Sequence, residues 1–151
     1  MIELIEETHE YIVDGIHYDG VTSIIREAGL MPSYSPQDLS WYLQRGTYIH
    51  RATELYDKGD LDEATLDPEI KGYVESYKKL GLKYTPDEIE LRLADKIYQV
   101  AGTLDRPDYD IKSGSYAAWH VVQAGIYWHL KKVNGLDNKP INACYFKQGS
   151  F

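Results

Sequence analysis

The first quarter of the chain alternates hydrophobic and polar positions over short distances, as β-strands do. Two runs rich in β-branched and aromatic residues flank an Asp-Gly pair at 14–15, a dipeptide typical of two-residue hairpin turns. A short helix is predicted to begin at Thr22 or Ser23 and to end near Gly29. The two prolines within residues 31–37 indicate a loop after this helix.

Helical periodicity replaces this alternation in the middle of the chain. Apolar side chains recur at helical spacing from Asp38 to about Tyr56, which predicts a long helix. A second helix is expected to begin at Asp67-Pro68, because proline suits the first helical turn, and to end at Gly81.

The last third of the chain returns to strand patterns and also contains the most regular helix. Alternation over residues 89–94 predicts a half-buried strand, and residues 97–104 predict a second one. A helix is expected over residues 116–133, because the periodicity is sustained there and an Asn-Gly pair follows it. Residues 141–146 predict a final strand.

This order of elements predicts a single domain that spans residues 1–151. Its fold class is expected to be α/β, with a mixed central β-sheet flanked by helices. The N-terminal hairpin and helix, at about residues 10–28, are expected to pack on that sheet. The composition agrees with one globular domain, since 43% of the residues are hydrophobic and 26% are charged.

Cysteine content and hydropathy exclude several classes of protein. The single cysteine, Cys144, cannot form a disulfide framework or a multi-cysteine zinc or iron–sulfur site within the chain. No run of about 18 apolar residues occurs, so we expect no membrane-spanning helix and no membrane partner. The acidic start, MIELIEETHE, lacks the layout of a signal peptide, which makes a cytoplasmic location the expectation.

The formal net charge of −8 argues against a protein that holds nucleic acid by electrostatic attraction alone. The charge is uneven, because residues 54–95 contain twelve acids and six bases, whereas four lysines and one aspartate follow Tyr116. A basic C-terminal side could therefore meet phosphates. A carboxylate-lined metal site would also add negative charge that bound cations offset.

The stretch AGTLDRPDYDIKSG, residues 101–114, concentrates the residues with the clearest chemistry. It predicts a tight β-hairpin with Pro107-Asp108 at its tip and Asp105 directly opposite Asp110. Like charges at such positions are destabilising, and a divalent cation between them would remove that cost. Lys112 follows Asp110 by two residues, so both side chains would share one face of a strand. We expect a metal-dependent site that cleaves phosphodiester bonds; a solvated, charged turn is the alternative.

Two predicted helices supply further candidate residues. His50 lies within an amphipathic helix, where a histidine taken alone is more often structural. Trp119, Gln123 and Tyr127 are spaced four residues apart, so they share a stripe on the last helix. Trp119 is expected in the core, whereas a partly buried amide such as that of Gln123 needs hydrogen-bond partners.

Taken together, these segments resemble the PD-(D/E)XK nuclease superfamily, and most closely its RecB-type and phage-recombination exonuclease branch. The likeness extends from about Tyr11 to Phe146. The matching pieces are YIVDG-x-x-Y-x-x-VTSII, RGTYIH with His50, the strand bearing Glu90, AGTLDR with Asp105, DIKSG with Asp110 and Lys112, and QAGIY with Gln123 and Tyr127. The resemblance implies a restriction-endonuclease-like core and a nuclease that acts on DNA.

The resemblance also implies roles for individual residues. Asp105 and Asp110 would be carboxylate ligands of Mg²⁺ or Mn²⁺, and the carbonyl of Ile111 a further oxygen ligand. His50 would be the additional ligand of this branch, and imidazole favours tolerance of Mn²⁺. Lys112 would orient or deprotonate the attacking water and stabilise charge on the transition state.

Other implied roles concern the edges of the site. Gln123 and Tyr127 would support the site or contact the DNA backbone. Glu90 is either an outer metal ligand or an acid on the strand surface. Asp105 is preferred as the ligand, with Asp108 at the turn tip as the alternative. The four-cysteine cluster of CRISPR-associated relatives is absent, so no iron–sulfur cluster is expected.

The sequence therefore predicts a divalent-metal-dependent deoxyribonuclease, acting as an exonuclease in recombination, repair or phage DNA metabolism. The alternatives are a nuclease-fold module that binds DNA or protein without cutting, and a site-specific endonuclease. Expected partners are DNA and either a second copy of the chain or a recombination or replication protein.

Overall fold

The structure is a computed structural model that describes residues 1–32 and 36–146, without the side chains of residues 36–39. The described residues form four α-helices and seven β-strands, together with two short 3-10 turns at Glu63–Thr65 and Pro86–Glu88. In chain order the elements are β1 (Ile2–Ile5), β2 (Glu10–Val13), β3 (Ile16–Gly20), α1 (Val21–Glu27), α2 (Pro36–Lys58), α3 (Pro68–Lys78), β4 (Leu91–Asp95), β5 (Val100–Leu104), β6 (Tyr109–Lys112), α4 (Trp119–Val133) and β7 (Asn142–Tyr145).

Local sequence chemistry sets several of these boundaries. The β2–β3 turn places Asp14 and Gly15 at positive φ angles of 50° and 83°, as the Asp-Gly hairpin signal predicts. Gly29 follows α1 at φ 73°, where a residue without a Cβ carries little strain. The Asp67 carboxylate accepts the backbone N–H of Glu69 at 2.9 Å and caps α3. These predicted elements are confirmed.

The main sheet is mixed, which confirms the expected fold class of a mixed sheet flanked by helices. Its strand order is β1-β2-β3-β5-β4, with β3 and β5 parallel and the other neighbours antiparallel. A second sheet consists of β6 and β7, which run parallel to each other. The site described below lies between these two sheets.

The predicted hairpin between residues 101 and 114 is wrong in its strand pairing. A turn does form, since the Arg106 N–H donates to the Tyr109 carbonyl at 3.1 Å. However, β4 pairs along one whole edge of β5, and on the other edge β3 pairs with its first two residues while the Thr103 carbonyl accepts a hydroxyl from α4. Strand β6 therefore pairs with β7, and Asp110 lies beside Ala143 instead of opposite Asp105.

Two other predicted boundaries differ from the structure. Helix α2 begins at Pro36, inside the segment predicted as a loop, and residues 33–35 of that loop lie outside the described residues. Helix α4 begins at Trp119 instead of residue 116. The His120 ring accepts the backbone N–H of Ala117 at 3.2 Å, so a side chain satisfies this donor just before the helix.

Apolar side chains form two large clusters, one on each side of the junction between β5 and β6. The first joins α2, α3 and β6 and contains Ile49, Val74 and Ile111, all 1% exposed or less. The second joins α1, α4, β4 and β5 and contains Leu104 and Leu130, which are fully buried. Full burial of one such side chain contributes about 1.5–3 kcal/mol, so both clusters fix the backbone around the junction.

Among the described residues, no helix combines the length and the apolar character needed to cross a membrane.

Candidate metal centre

Three residues from separate parts of the chain converge at the end of β5. Nδ1 of His50, in α2, lies 2.9 Å from Oδ1 of Asp105. One ligand atom from each of His50, Glu90 and Asp105 lies within 4.8 Å of the other two. Imidazole nitrogen and carboxylate oxygen are ligands that divalent transition-metal ions accept, so the donor set fits such an ion.

Backbone hydrogen bonds hold the two carboxylates of this group in place. Glu90 precedes β4 at a positive φ of 55°, and its N–H donates to the Asp105 carbonyl at 3.0 Å. The Asp105 side chain is 5% exposed, and its Oδ2 accepts the Ile111 N–H at 2.7 Å. The edge of β6 that carries the Ile111 N–H therefore faces Asp105.

Asp110 and Lys112 lie beside this group, as their spacing on one strand face predicts. Nζ of Lys112 lies 2.8 Å from Oδ2 of Asp110 and donates a hydrogen bond to Oε1 of Gln123. Asp110 is 6% exposed and interacts directly with the Asp105 carboxyl. The turn thus brings the two aspartates together although their strands do not pair.

The ionisation of these groups reflects a surplus of buried carboxylates. Burial alone would lower the pKa of His50, but the Asp105 charge raises it to about 9. Burial would raise the pKa of Asp105, but His50 and its hydrogen bonds lower it to about 2. Burial and the Asp105 charge raise the pKa values of Asp110 and Glu90 to about 7. A divalent cation would offset this negative surplus.

Helix α4 supports the site from one side. Gln123 is 7% exposed and accepts from Lys112 as described above, so the amide has the partner that its burial requires. The Tyr127 hydroxyl donates to the Thr103 carbonyl at 2.9 Å, which fixes its ring against β5. Gly102 leaves room for that ring, since a Cβ there would lie 2.9 Å from Tyr127 Cε1.

Asp108, the alternative ligand, is placed elsewhere by the structure. Its carboxylate accepts a hydrogen bond from the Tyr84 hydroxyl at 3.0 Å, and its carbonyl accepts the Asn142 N–H at 2.9 Å. Asp105 is the aspartate that meets His50. The structure therefore brings together the preferred set and leaves Asp108 in a structural contact with Tyr84.

Sequence reasoning missed the contribution of Arg106, which follows Asp105 directly. Its side chain is 0% exposed, and Nε donates to Oδ2 of Asp57 at 2.8 Å. Nη1 donates to the Asp105 carbonyl at 2.6 Å. The guanidinium therefore anchors the turn to α2. The sequence places Arg106 next to Asp105 but does not indicate this anchoring role, because its partner Asp57 lies 49 residues away.

Arg45 is a second residue that sequence reasoning missed. Its Nη2 donates to the carbonyl of Ser113 at 2.8 Å, which joins α2 to the residue after β6. A Cβ at Gly46 would lie 3.6 Å from Ser113 Oγ, an ordinary van der Waals distance, so the two segments are in close contact here. This contact positions α2, and with it His50, over the site.

A cavity of about 1100 Å³ opens above the centre and includes every member of it. Its lining carries equal numbers of basic and acidic residues, although the whole chain has a net charge of −8. The basic residues are Arg26, Arg51, Lys58, Arg92 and Lys112, and the acidic residues are Glu6, Glu54, Glu90, Asp105 and Asp110. The lining of the cavity is thus neutral by formal charge, in contrast to the negative charge of the whole chain.

Comparison of the chain with protein-family models, with curated proteins and with solved structures gives no match.

Proposed function

We propose that this protein is a divalent-metal-dependent deoxyribonuclease of the PD-(D/E)XK type, acting as an exonuclease in DNA recombination, repair or phage DNA metabolism. The observation that carries the proposal is the convergence of His50, Glu90 and Asp105 beside Asp110 and Lys112 in one cavity. Asp105 and Asp110 are buried side by side, and two carboxylates so placed cannot both ionise without cost unless a cation joins them. A metal-dependent site gives this arrangement a purpose.

Mg²⁺ or Mn²⁺ is the ion that the donor set favours. His50, Asp105 and Glu90 would hold it, with Asp110 and the Ile111 carbonyl completing the set on the β6 side. Hard carboxylate oxygens suit Mg²⁺ and Mn²⁺, and the imidazole shifts the preference toward Mn²⁺. When bound, the ion would lower the pKa of water and polarise the phosphate.

The side chains around the ion would orient the reaction. The Lys112 ammonium, held between Asp110 and Gln123, would align the attacking water and balance charge that develops on the phosphate oxygens. Gln123 would fix the direction of the Lys112 side chain. Tyr127 would keep α4 against β5 through its bond to Thr103.

The test is hydrolysis of end-labelled single-stranded and double-stranded DNA with Mg²⁺ or Mn²⁺, compared with EDTA. We expect Lys112→Ala to lose cleavage and keep Mn²⁺ binding by calorimetry, whereas Asp105→Ala loses both. Lys96→Ala is the matched control, because Lys96 is an exposed lysine paired with Asp14 outside the cavity. Wild-type protein that leaves both DNA forms intact at every end would refute the proposal.

Adding closed circular DNA as a second substrate separates an exonuclease from an endonuclease. Cleavage of linear DNA with survival of closed circles indicates an exonuclease, and cleavage of circles indicates an endonuclease. The net charge of −8 favours a second candidate, a nuclease-fold module that binds DNA or a protein partner without cutting. Salt-sensitive DNA binding without turnover would select that module.

A further inference from the structure

A continuous cluster of aromatic rings lies next to Lys112. We call it the aromatic surface and define it by Tyr116, Trp119, His120 and Tyr145. The Trp119 and His120 centroids are 4.2 Å apart, and Tyr116 lies 6.4 Å from His120 and 6.2 Å from Tyr145. Nζ of Lys112 lies 5.1 Å from the Trp119 ring centroid, so the surface begins at the candidate centre.

Packing of the fold does not account for the outer ring of this surface. Tyr116 is 65% exposed, precedes α4, and makes edge contacts with the rings of His120 and Tyr145. The rings beneath it are held in place, because Nδ1 of His120 lies 2.7 Å from the Tyr145 hydroxyl. An exposed ring on a rigid aromatic base is the arrangement found in platforms that stack a planar ligand.

The surface is apolar and uncharged at neutral pH. Burial, reinforced by the Lys112 charge, lowers the pKa of His120 to about 4, so this imidazole is neutral at pH 7. The exposed ring of Tyr116 is therefore the part of the surface that a ligand can reach, and Lys112 at the inner edge supplies a positive charge.

We infer that the aromatic surface stacks an unpaired base of the DNA strand that enters the candidate centre, which makes single-stranded DNA, or the unpaired end of a duplex, the substrate class. This inference rests on the proposed function. Stacking on Tyr116 would place the base on the outer ring while the phosphate backbone runs past Lys112 toward His50 and Asp105.

The charge of the protein supports this choice over intact duplex. A chain with a net charge of −8 gains little from general attraction to the phosphates of duplex DNA, and its cavity is neutral by formal charge. Base–aromatic stacking depends little on charge and needs bases that are free of a complementary strand. Each stacked base strengthens binding by about 5- to 100-fold.

The chain supplies a matched control for testing this surface. Tyr98 is 73% exposed and also lies beside a histidine, His129, at 6.2 Å between ring centroids. It lies in the β4–β5 turn, whereas Tyr116 belongs to the aromatic surface that meets Lys112 at Trp119; neither tyrosine lines the cavity itself. Tyr116→Leu and Tyr98→Leu therefore remove equivalent exposed rings at two different places.

The experiment measures the Kd of a labelled single-stranded oligothymidylate and of a blunt-ended duplex by fluorescence anisotropy, with Ca²⁺ in place of Mg²⁺. We expect Tyr116→Leu to weaken binding of the single strand by at least 5-fold and Tyr98→Leu to change it by less than 2-fold. Tyr116→Phe keeps the ring and should restore wild-type binding. Thermal melts of each variant show whether the fold is intact.

Equal binding by Tyr116→Leu and Tyr98→Leu, or tighter binding of the blunt duplex than of the single strand by the wild type, would overturn the inference. Its failure is distinguishable from that of the proposed function, because binding is measured without cleavage. If binding of single-stranded DNA depends on Tyr116 but the protein never cuts DNA, the inference stands and the proposed nuclease activity is refuted. If Tyr116→Leu changes neither DNA binding nor DNA cleavage, the inference is overturned and the proposed nuclease activity is retained.

Discussion

The two aspartates of the candidate centre should respond in opposite ways to neutralisation in the metal-free protein. The pKa of Asp110 is raised from 3.8 to about 7, so its ionised form destabilises the fold above pH 7. At about 1.4 kcal/mol for each pH unit, the cost is about 4 kcal/mol. Asp110→Asn should therefore increase the free energy of unfolding at pH 8 in EDTA by up to about 4 kcal/mol.

The pH dependence of this gain follows from the direction of the pKa shift. As the pH falls through 7, wild-type Asp110 takes up a proton in the folded state while the unfolded chain remains ionised down to about 3.8. The wild type thus regains about 3 kcal/mol by pH 5, and the advantage of Asp110→Asn shrinks to about 1–2 kcal/mol.

Asp105→Asn provides the contrasting variant. The pKa of Asp105 is lowered to about 2, so its ionised form stabilises the fold at every pH above 3.8, and that stability is lost as the pH falls toward 2. Neutralising Asp105 should cost about 2 kcal/mol at pH 8.

Urea denaturation in EDTA at pH 8 and pH 5 tests both variants. The reasoning is refuted if Asp110→Asn is less stable than the wild type at pH 8. It is also refuted if the difference in their free energies of unfolding does not change with pH. At pH 8, Mn²⁺ should shrink the advantage of Asp110→Asn to about 1–2 kcal/mol, since an ion at 100 times its Kd stabilises the wild type by about 2.7 kcal/mol and the variant lacks a ligand.

Three further substitutions test the surroundings of the site. Gly102→Ala places a Cβ 2.9 Å from Tyr127 and should destabilise the protein by about 1–3 kcal/mol, measured by thermal melting. Arg106→Met leaves the buried Asp57 carboxylate without its guanidinium and should cost about 3–5 kcal/mol in urea denaturation; a loss below 1 kcal/mol would contradict this. Glu90→Gln removes a carboxylate whose pKa is raised to about 7, so it should stabilise the metal-free protein at pH 8 and weaken Mn²⁺ binding by calorimetry.

Elements governed by local chemistry could be predicted from the sequence. The Asp14-Gly15 turn and the Asp67 cap of α3 depend on residues close to one another in the chain. Strand β1 could not be predicted in the same way. No cap or turn signal marks its four residues, Ile2–Ile5, and they become a strand by pairing with β2.

The pairing of β6 shows the same limit at the site itself. The turn between Arg106 and Tyr109 is local and was predicted, but the partner of β6 depends on which sheet edges other segments already occupy. Spacing alone brought Asp110 and Lys112 to one face. The position of Glu90 depends on a positive φ angle, which a glutamate in the sequence does not predict.

Strand β6 belongs to a different sheet from β5, so the proposed ligands are attached to two separately packed parts of the molecule. Asp105 follows Leu104 of one apolar cluster, and Asp110 precedes Ile111 of the other. A shared ion would act as a cross-link between these parts. Strands of four residues in a two-stranded sheet are weak on their own, so amide hydrogen exchange in β6 and β7 should slow when Mn²⁺ is added.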